Sequence, residues 1–286
     1  MTTQIAGTRV AFLGTGNMAE AVLAGALTSG LAPSDVVATV RRPERGAELA
    51  DRYGVGTTTD NAEAVAGAKV VVVGVKPKDV AAMLDAVAGS LAADAVVVSV
   101  AVGLPLSVYA RHLPAGQPVV RTMPNTPAQV GAGVTAVVAG PTVADADVAL
   151  VEALLGGTGE TLRITEKEID AFGAVAGSGP AYVFYVVDAM AEAGVLLGLA
   201  RDVARRLAVQ TVLGSGRLLA ETGEHPAILR EKVSSPGGTT IQALKRLDDG
   251  GVRAAFLTAI EAARDRSREL GEELGTEPQA RPTPRG

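Results

Sequence analysis

Cysteine is absent from this 286-residue chain, and so is tryptophan. The first absence excludes disulfides, thiolate nucleophiles and cysteine-ligated metals. Histidine is nearly absent too: the 2 that occur, His112 and His225, stand far apart and outside any zinc-site spacing, so no metal is expected. Aromatic residues make up 3% of a sequence that is 48% hydrophobic, so the core has to be built from alanine, valine and leucine. With a net charge of −5 and no basic stripe, nucleic acid is not expected as a partner. The long uncharged stretches Thr126–Ala144 and Ala171–Val187 are broken by Gly and Pro, unlike a membrane span of about 20 apolar residues. The short polar start, Met1–Gly7, carries no pattern of a signal peptide. A cytoplasmic protein without membrane partners is the expectation.

What the chain has in quantity is short valine-rich runs separated by helical patterns. Arg9–Leu13 reads as a buried strand and runs directly into Gly14-Thr15-Gly16-Asn17-Met18-Ala19, followed by a helical pattern through Leu27. Gly14 permits a tight turn and Gly16 lets the backbone approach a pyrophosphate. Ala19 substitutes for the third glycine that keeps the helix close to the strand. In a strand–turn–helix setting this spacing predicts dinucleotide binding. Further strands are expected at Val36–Val40, Gly54–Thr57, Lys69–Val75, Ala95–Val100, Val119–Thr122, Val134–Ala139 and near Thr161–Ile164. Helices are expected at Pro43–Tyr53, Asp79–Val87 and Asp145–Leu155. Near-continuous valine runs fit strands covered on both faces. The alternation predicts a Rossmann-like, doubly wound α/β sheet over residues 1–164.

The end of the second strand selects the cofactor. An NAD site usually carries an acidic residue there for the ribose hydroxyls; this chain reads Thr39-Val40-Arg41-Arg42. Two guanidinium groups and a hydroxyl suit a 2′-phosphate, which predicts NADP, against the alternative of a solvated basic loop. Three more loops fall at carboxyl ends of strands, where ligands lie in such sheets: Gly74–Pro77, Val100–Gly103 and Arg121–Pro127. Within them Lys76 is a ligand contact or a solvated lysine, and Arg121 a ligand contact or a tether. Asn61 is a cofactor contact or a helix cap. Asn125, bracketed by Pro124 and Pro127, is placed to aim its amide at a nicotinamide.

After Ile164 the strand patterns stop. Thr165–Ala176 reads as one helix, broken at Gly177-Ser178-Gly179-Pro180, with Ser178 able to cap the next. Ala181–Val187 is apolar on every side, so its helix should be buried all round, which one small helical domain cannot achieve alone; a second subunit is implied. Helical patterns follow at Val203–Thr211, Pro226–Val233, Ile241–Leu247 and Val252–Ala263. The domain expectation is therefore a dinucleotide-binding sheet over 1–164, an all-helical dimerisation and substrate domain over 165–274, and a proline-rich disordered tail over 275–286. Between two of the helices lies Ser234-Ser235-Pro236-Gly237-Gly238-Thr239-Thr240. It is either an ordinary capped turn or an anion site, with Gly237 and Gly238 free of side chains and helix-start N–H groups at Thr239 and Thr240.

Arg121–Pro127, Ala176–Tyr182 and Val233–Thr240, in that order and spacing behind the glycine turn, resemble the pyrroline-5-carboxylate reductase family over roughly Arg9 to Leu274. The resemblance implies NADPH-dependent reduction of a cyclic imino acid, 1-pyrroline-5-carboxylate, to proline, with NADH as a possible second donor. It implies that Gly14, Gly16, Asn17, Met18, Thr39, Asn61, Gly74, Val75, Lys76, Pro77, Ala101 and Gly103 line the cofactor. Ser235, Gly237, Gly238, Thr239 and Thr240 would hold the substrate carboxylate, with Thr240 against the ring nitrogen. Glu166 and Ser178 would lie near the nicotinamide end. It also implies a homodimer assembled into a larger ring such as a decamer. The β-hydroxyacid dehydrogenases have a similar architecture. They are expected to use a lysine on the first long helix of the second domain, and none lies between Lys167 and Lys232. A non-catalytic NADP sensor is the other alternative, separated from an enzyme by a turnover assay.

Overall fold

The structure, a computed structural model, describes residues 5–275. The chain divides into two compact units: residues up to Gly177 together with those from Arg264, and Ser178–Ala263. The division thus falls later in the chain than the domain boundary expected at Ile164.

The first unit holds eight strands: β1 (Val10–Leu13), β2 (Val36–Thr39), β3 (Gly56–Thr58), β4 (Val70–Val73), β5 (Val96–Ser99), β6 (Val119–Pro124), β7 (Gly133–Ala139) and β8 (Gly159–Arg163). Its helices are α1 (Asn17–Thr28), α2 (Pro43–Tyr53), α3 (Asn61–Val65), α4 (Pro77–Val87), α5 (Leu106–His112), α6 (Asp145–Leu155) and α7 (Ile169–Phe172). The strands form one sheet in the order β3-β2-β1-β4-β5-β6-β7-β8. Pairing is parallel from β3 to β6; β7 runs antiparallel to β6, and β8 parallel to β7. The first six positions are the doubly wound order expected of a dinucleotide-binding sheet.

Alternation along each strand explains the two cores. Val10, Phe12, Val70, Val72, Val96 and Val98 point to one face, where α1 and α6 cover them. Ala11, Leu13, Val71, Val73 and Val97 point to the other, under α3, α4 and α5. Each fully buried valine or leucine contributes about 1.5–3 kcal/mol, so the few aromatics are not missed. The sequence patterns did not suggest α5, whose Tyr109 is the largest fully buried side chain.

Thr165–Ala176 is not the single helix its pattern suggested. A 3-10 turn at Glu166–Glu168 leads into α7 and then a π-helical turn at Gly173–Gly177. Gly173 in that turn leaves room for Met123, whose Cε would lie 2.6 Å from a Cβ there, and the Ala176 carbonyl accepts the side-chain amide of Asn125 from the loop after β6. Periodicity does not report such a turn, because it changes the hydrogen-bond spacing within an otherwise apolar run.

The second unit is built from α8 (Gly179–Leu196), α9 (Arg201–Thr222), α10 (Pro226–Lys232), α11 (Thr239–Asp249) and the first part of α12 (Val252–Gly275). The all-round burial expected for Ala181–Val187 is not provided by the chain itself. No residue of α8 is buried, and Phe184 and Tyr185 are 65% and 79% exposed. The expected tail lies, apart from Gly275, outside the described residues. Among the described residues no helix is long and apolar enough to cross a membrane, and no group of three or more His, Asp or Glu could hold a metal ion.

Candidate functional site

The glycine turn after β1 is held from two sides. Gly14 has φ +78, a conformation that favours glycine, and a Cβ there would collide with Val75 Cγ1 and stand 3.2 Å from the Val75 backbone. From the other side, the Gly14 N–H donates to Thr39 Oγ1 at 2.9 Å, and the Thr15 N–H and hydroxyl both donate to the Thr39 carbonyl. Thr39 is 3% exposed. Its hydroxyl therefore fastens the turn, a role the sequence did not suggest for a residue read as a phosphate contact. Ala19 is buried at the point where Gly74 passes: a Cβ on Gly74 would lie 2.5 Å from that of Ala19. That missing side chain is why alanine suffices at the third position.

Next to this braced turn, a Cβ added to Gly16 would meet no protein atom within 4 Å. Gly16 is the N-cap of α1 and no side chain caps it. The first N–H groups of α1, at Asn17 and Met18, thus have no partner inside the helix, and with the helix dipole they form an anion site. An exposed glycine backbone beside uncapped N–H groups fits a pyrophosphate. The residues present fit a dinucleotide.

Around the turn, Arg41 and Arg42 follow β2, and both are exposed. They are not equivalent. Arg41 Nη2 bonds Asp79 Oδ2 at 2.6 Å, linking the loop after β2 to the first turn of α4. Arg42 is the N-cap residue of α2, just ahead of Pro43. Lys76 is the exposed N-cap of α4, with Pro77 in the first turn. Asn61 is not a cap: Asp60 caps α3, accepting from the Ala62 and Glu63 N–H groups, which leaves Asn61 as the first helical residue. On α1, Glu20 gathers Arg45, Arg52 and the Tyr53 hydroxyl, fixing α2 against α1.

Two residues expected to face a ligand are committed to the fold. The Asn125 amide is used at both ends, donating from Nδ2 to the Ala176 carbonyl at 3.0 Å and accepting the Val134 N–H at 3.0 Å. It clasps the π turn to β7, and these two bonds set the direction of its amide. Arg121, 7% exposed, bonds Glu166 Oε1 at 3.0 Å, the tether that its alternative reading described. Sequence reading passed over Asp79, Ser99 and Tyr109. Ser99, the one polar residue in a valine strand, was the available signal.

The second unit contains the other candidate. Ser235-Pro236-Gly237-Gly238 forms a β-turn in which the Gly238 N–H donates to the Ser235 carbonyl at 3.0 Å. Gly237 has φ +69, and with proline before it this is the residue pattern of a type II turn. A Cβ on Gly238 would collide with Ser235 Oγ. The Gly238 N–H is therefore occupied within the turn. The N–H groups of Thr239 and Thr240 open α11, where Gly238 is the N-cap and no side chain caps it, so these are the ones left for an anion. Among the described residues the Thr240 hydroxyl, half-buried, has no hydrogen-bond partner. Ser178 stands at the N-cap of α8 in helical conformation and makes no capping bond, because the π turn before it already delivers the chain in helical geometry.

Comparison with known proteins covers both units. Residues 166–270 match the family model described as pyrroline-5-carboxylate reductase dimerisation, and residues 9–103 match NADP oxidoreductase, coenzyme F420-dependent. The chain is 43% identical over 267 residues to a pyrroline-5-carboxylate reductase of Corynebacterium melassecola, covering 92% of this chain and 99% of the relative. Among solved structures it is similar to a pyrroline-5-carboxylate reductase from Coxiella burnetii, with TM-score 0.89, 36% identity, and 92% and 98% of the two chains covered. It is also similar to Plasmodium falciparum pyrroline carboxylate reductase with NADP bound, with TM-score 0.82, 25% identity, and 93% and 98% covered.

Proposed function

The chain belongs to the pyrroline-5-carboxylate reductase family, and from this we propose that it reduces 1-pyrroline-5-carboxylate to proline with NADPH, the last step of proline biosynthesis. The observation that carries the reading is the agreement of both halves. The helical part matches the reductase's dimerisation model, and the sheet presents a glycine turn built for a dinucleotide phosphate.

When bound, NADPH supplies the hydride that the imine carbon receives. Gly14 and Gly16 with the first N–H groups of α1 hold its pyrophosphate. Arg42, Lys76 and Asn61 line the rest of the cofactor site, with Gly74, Val75, Pro77, Ala101 and Gly103. In the second unit, the N–H groups of Thr239 and Thr240 hold the substrate carboxylate on the turn formed by Ser235, Gly237 and Gly238. The Thr240 hydroxyl bonds at the ring nitrogen, where bonding changes most during reduction, and no strong general acid is required. Most of the rate then comes from orientation and fixed dipoles.

The same reading divides the chain into a cofactor domain and a helical dimerisation and substrate domain. The exposed apolar side chains of α8, Phe184 and Tyr185 among them, are covered by a second copy, and the dimers build a larger ring such as a decamer. The enzyme works in the cytoplasm. Following NADPH absorbance with and without the imine, and measuring proline formed, tests the central reading. A protein that binds NADPH and yields no proline is a sensor and not this reductase. A stable, active monomer by light scattering at micromolar concentration removes the assembly.

A further inference from the structure

The segment from Ala101 to Leu106, between β5 and α5, is fastened at both ends by side chains, of which only Glu166 has a place above, near the nicotinamide end and as the partner of Arg121. At its start the Ala101 N–H donates to Ser99 Oγ at 3.2 Å, and Ser99 Oγ meets the Tyr109 hydroxyl at 2.5 Å. Ser99 and Tyr109 are both 0% exposed. The Ser99 carbonyl is fixed in turn by the Thr122 hydroxyl at 2.8 Å. At the other end the Leu106 N–H donates to Glu166 Oε1 at 2.7 Å, the same oxygen that Arg121 holds.

The hydroxyl pair is not needed to fill space. Alanine and phenylalanine in their place would leave the Ala101 N–H, on a residue 5% exposed, without its acceptor. What the hydroxyls add is direction, since Ser99 Oγ fixes where the Ala101 N–H points and Tyr109 fixes Ser99. Burial pushes the Tyr109 phenol up to about 12, so it stays neutral beside Ser99. Glu166 does the same for Leu106, with the nearly buried Arg121 keeping its carboxylate in place.

We propose that Tyr109, acting through Ser99, and Glu166, held by Arg121, are positioning residues that set the 101–106 segment for cofactor binding without touching the cofactor. This rests on the reading that Ala101 and Gly103 line the cofactor site. The test is calorimetric binding of NADPH to Tyr109→Phe, Ser99→Ala and the double variant, with thermal transitions measured alongside. Each single change should weaken NADPH roughly 3- to 10-fold, the range of one hydrogen bond. The double should be no weaker than Ser99→Ala alone, because both act through one hydroxyl. The KM for the imine should not change. Glu166→Ala should add its own loss to that of Tyr109→Phe, and Glu166→Gln, which keeps an acceptor for the Leu106 N–H, should recover most of it. Lowered thermal transitions with unchanged NADPH affinity would mean packing alone and overturn the proposal, as would fully additive losses in the Tyr109–Ser99 pair. Val102→Trp separates the underlying reading, since Val102 is 55% exposed on the same segment. Wild-type NADPH affinity in Val102→Trp removes the segment from the cofactor site, and the proposal falls with it. Loss there, with full affinity in Tyr109→Phe, overturns the positioning role alone.

Discussion

Replacing Thr39 with valine keeps the shape of a side chain that is 3% exposed and removes the oxygen that accepts the Gly14 N–H at 2.9 Å. The Gly14 N–H then has no acceptor in a nearly closed space, which costs about 1–3 kcal/mol. Two outcomes follow from where that cost falls. If the turn keeps its shape, stability drops, at about 2–4 °C in Tm per kcal/mol for a domain of this size. If the turn relaxes in the free protein to satisfy the N–H, binding has to restore it. Cofactor affinity then falls by the same energy, roughly 5- to 150-fold. Either way NADPH and NADH are affected alike, because on the proposed reading the turn faces the pyrophosphate that both carry. A hydroxyl that instead served the 2′-phosphate would cost NADPH affinity and spare NADH. Calorimetric titration with each cofactor, beside a thermal melt, decides between them. A loss confined to NADPH, or a variant indistinguishable from wild type in both measurements, would refute the tethering role.

Arg42→Ala should weaken NADPH roughly 10- to 100-fold with little change for NADH, while Arg41→Ala does less, since its charge is already matched by Asp79; equal effects in titrations of the two variants would remove the distinction. Thr240→Val should lower turnover roughly 10- to 1,000-fold at an unchanged Tm, read by steady-state kinetics, because on the proposed reading the lost bond strengthens in the transition state. The raised Tyr109 pKa means its unfolded form ionises from pH 10 while the folded form resists until about 12. That part of the stability is complete below pH 10 and is lost between pH 10 and about 12, on the order of 3 kcal/mol. Urea melts across this range should show Tyr109→Phe falling less steeply than wild type, and parallel slopes would count against a buried neutral phenol.

The sheet was legible because valine runs and helical spacings are local signals, and β1 to β6 follow them strand by strand. The glycine turn was legible for the same reason, since its spacing states its geometry. The roles of Thr39, Asn125 and Arg121 were not, because each depends on a partner brought near only by folding: Gly14, Ala176 and Glu166. An exposed-looking polar residue beside a strand end gives no sign of whether it faces ligand or backbone. At the opening of α11 the two adjacent glycines gave no sign that the turn uses the Gly238 N–H, which leaves those of Thr239 and Thr240 without a capping side chain.

The strand order also governs the sequence of events by which the cofactor turn comes into being. β1 lies between β2 and β4, and β4 follows it only after two strands and three helices have been made. The Gly14 turn needs Thr39 from the end of β2 and Val75 from beyond β4, so it is complete only after that distant pairing closes. Parallel pairing across such a span has to meet its loop-closure entropy before any contact compensates it, and it forms late. On a ribosome, the first strand made thus gains its second neighbour only once β4 has been made. NADPH finds no phosphate site to stabilise until then. Substitutions that weaken the β1–β4 seam would therefore slow refolding at a stage when added cofactor gives no help, while those at the exposed Arg42 would leave the refolding rate alone and show only in how tightly the finished protein holds NADPH.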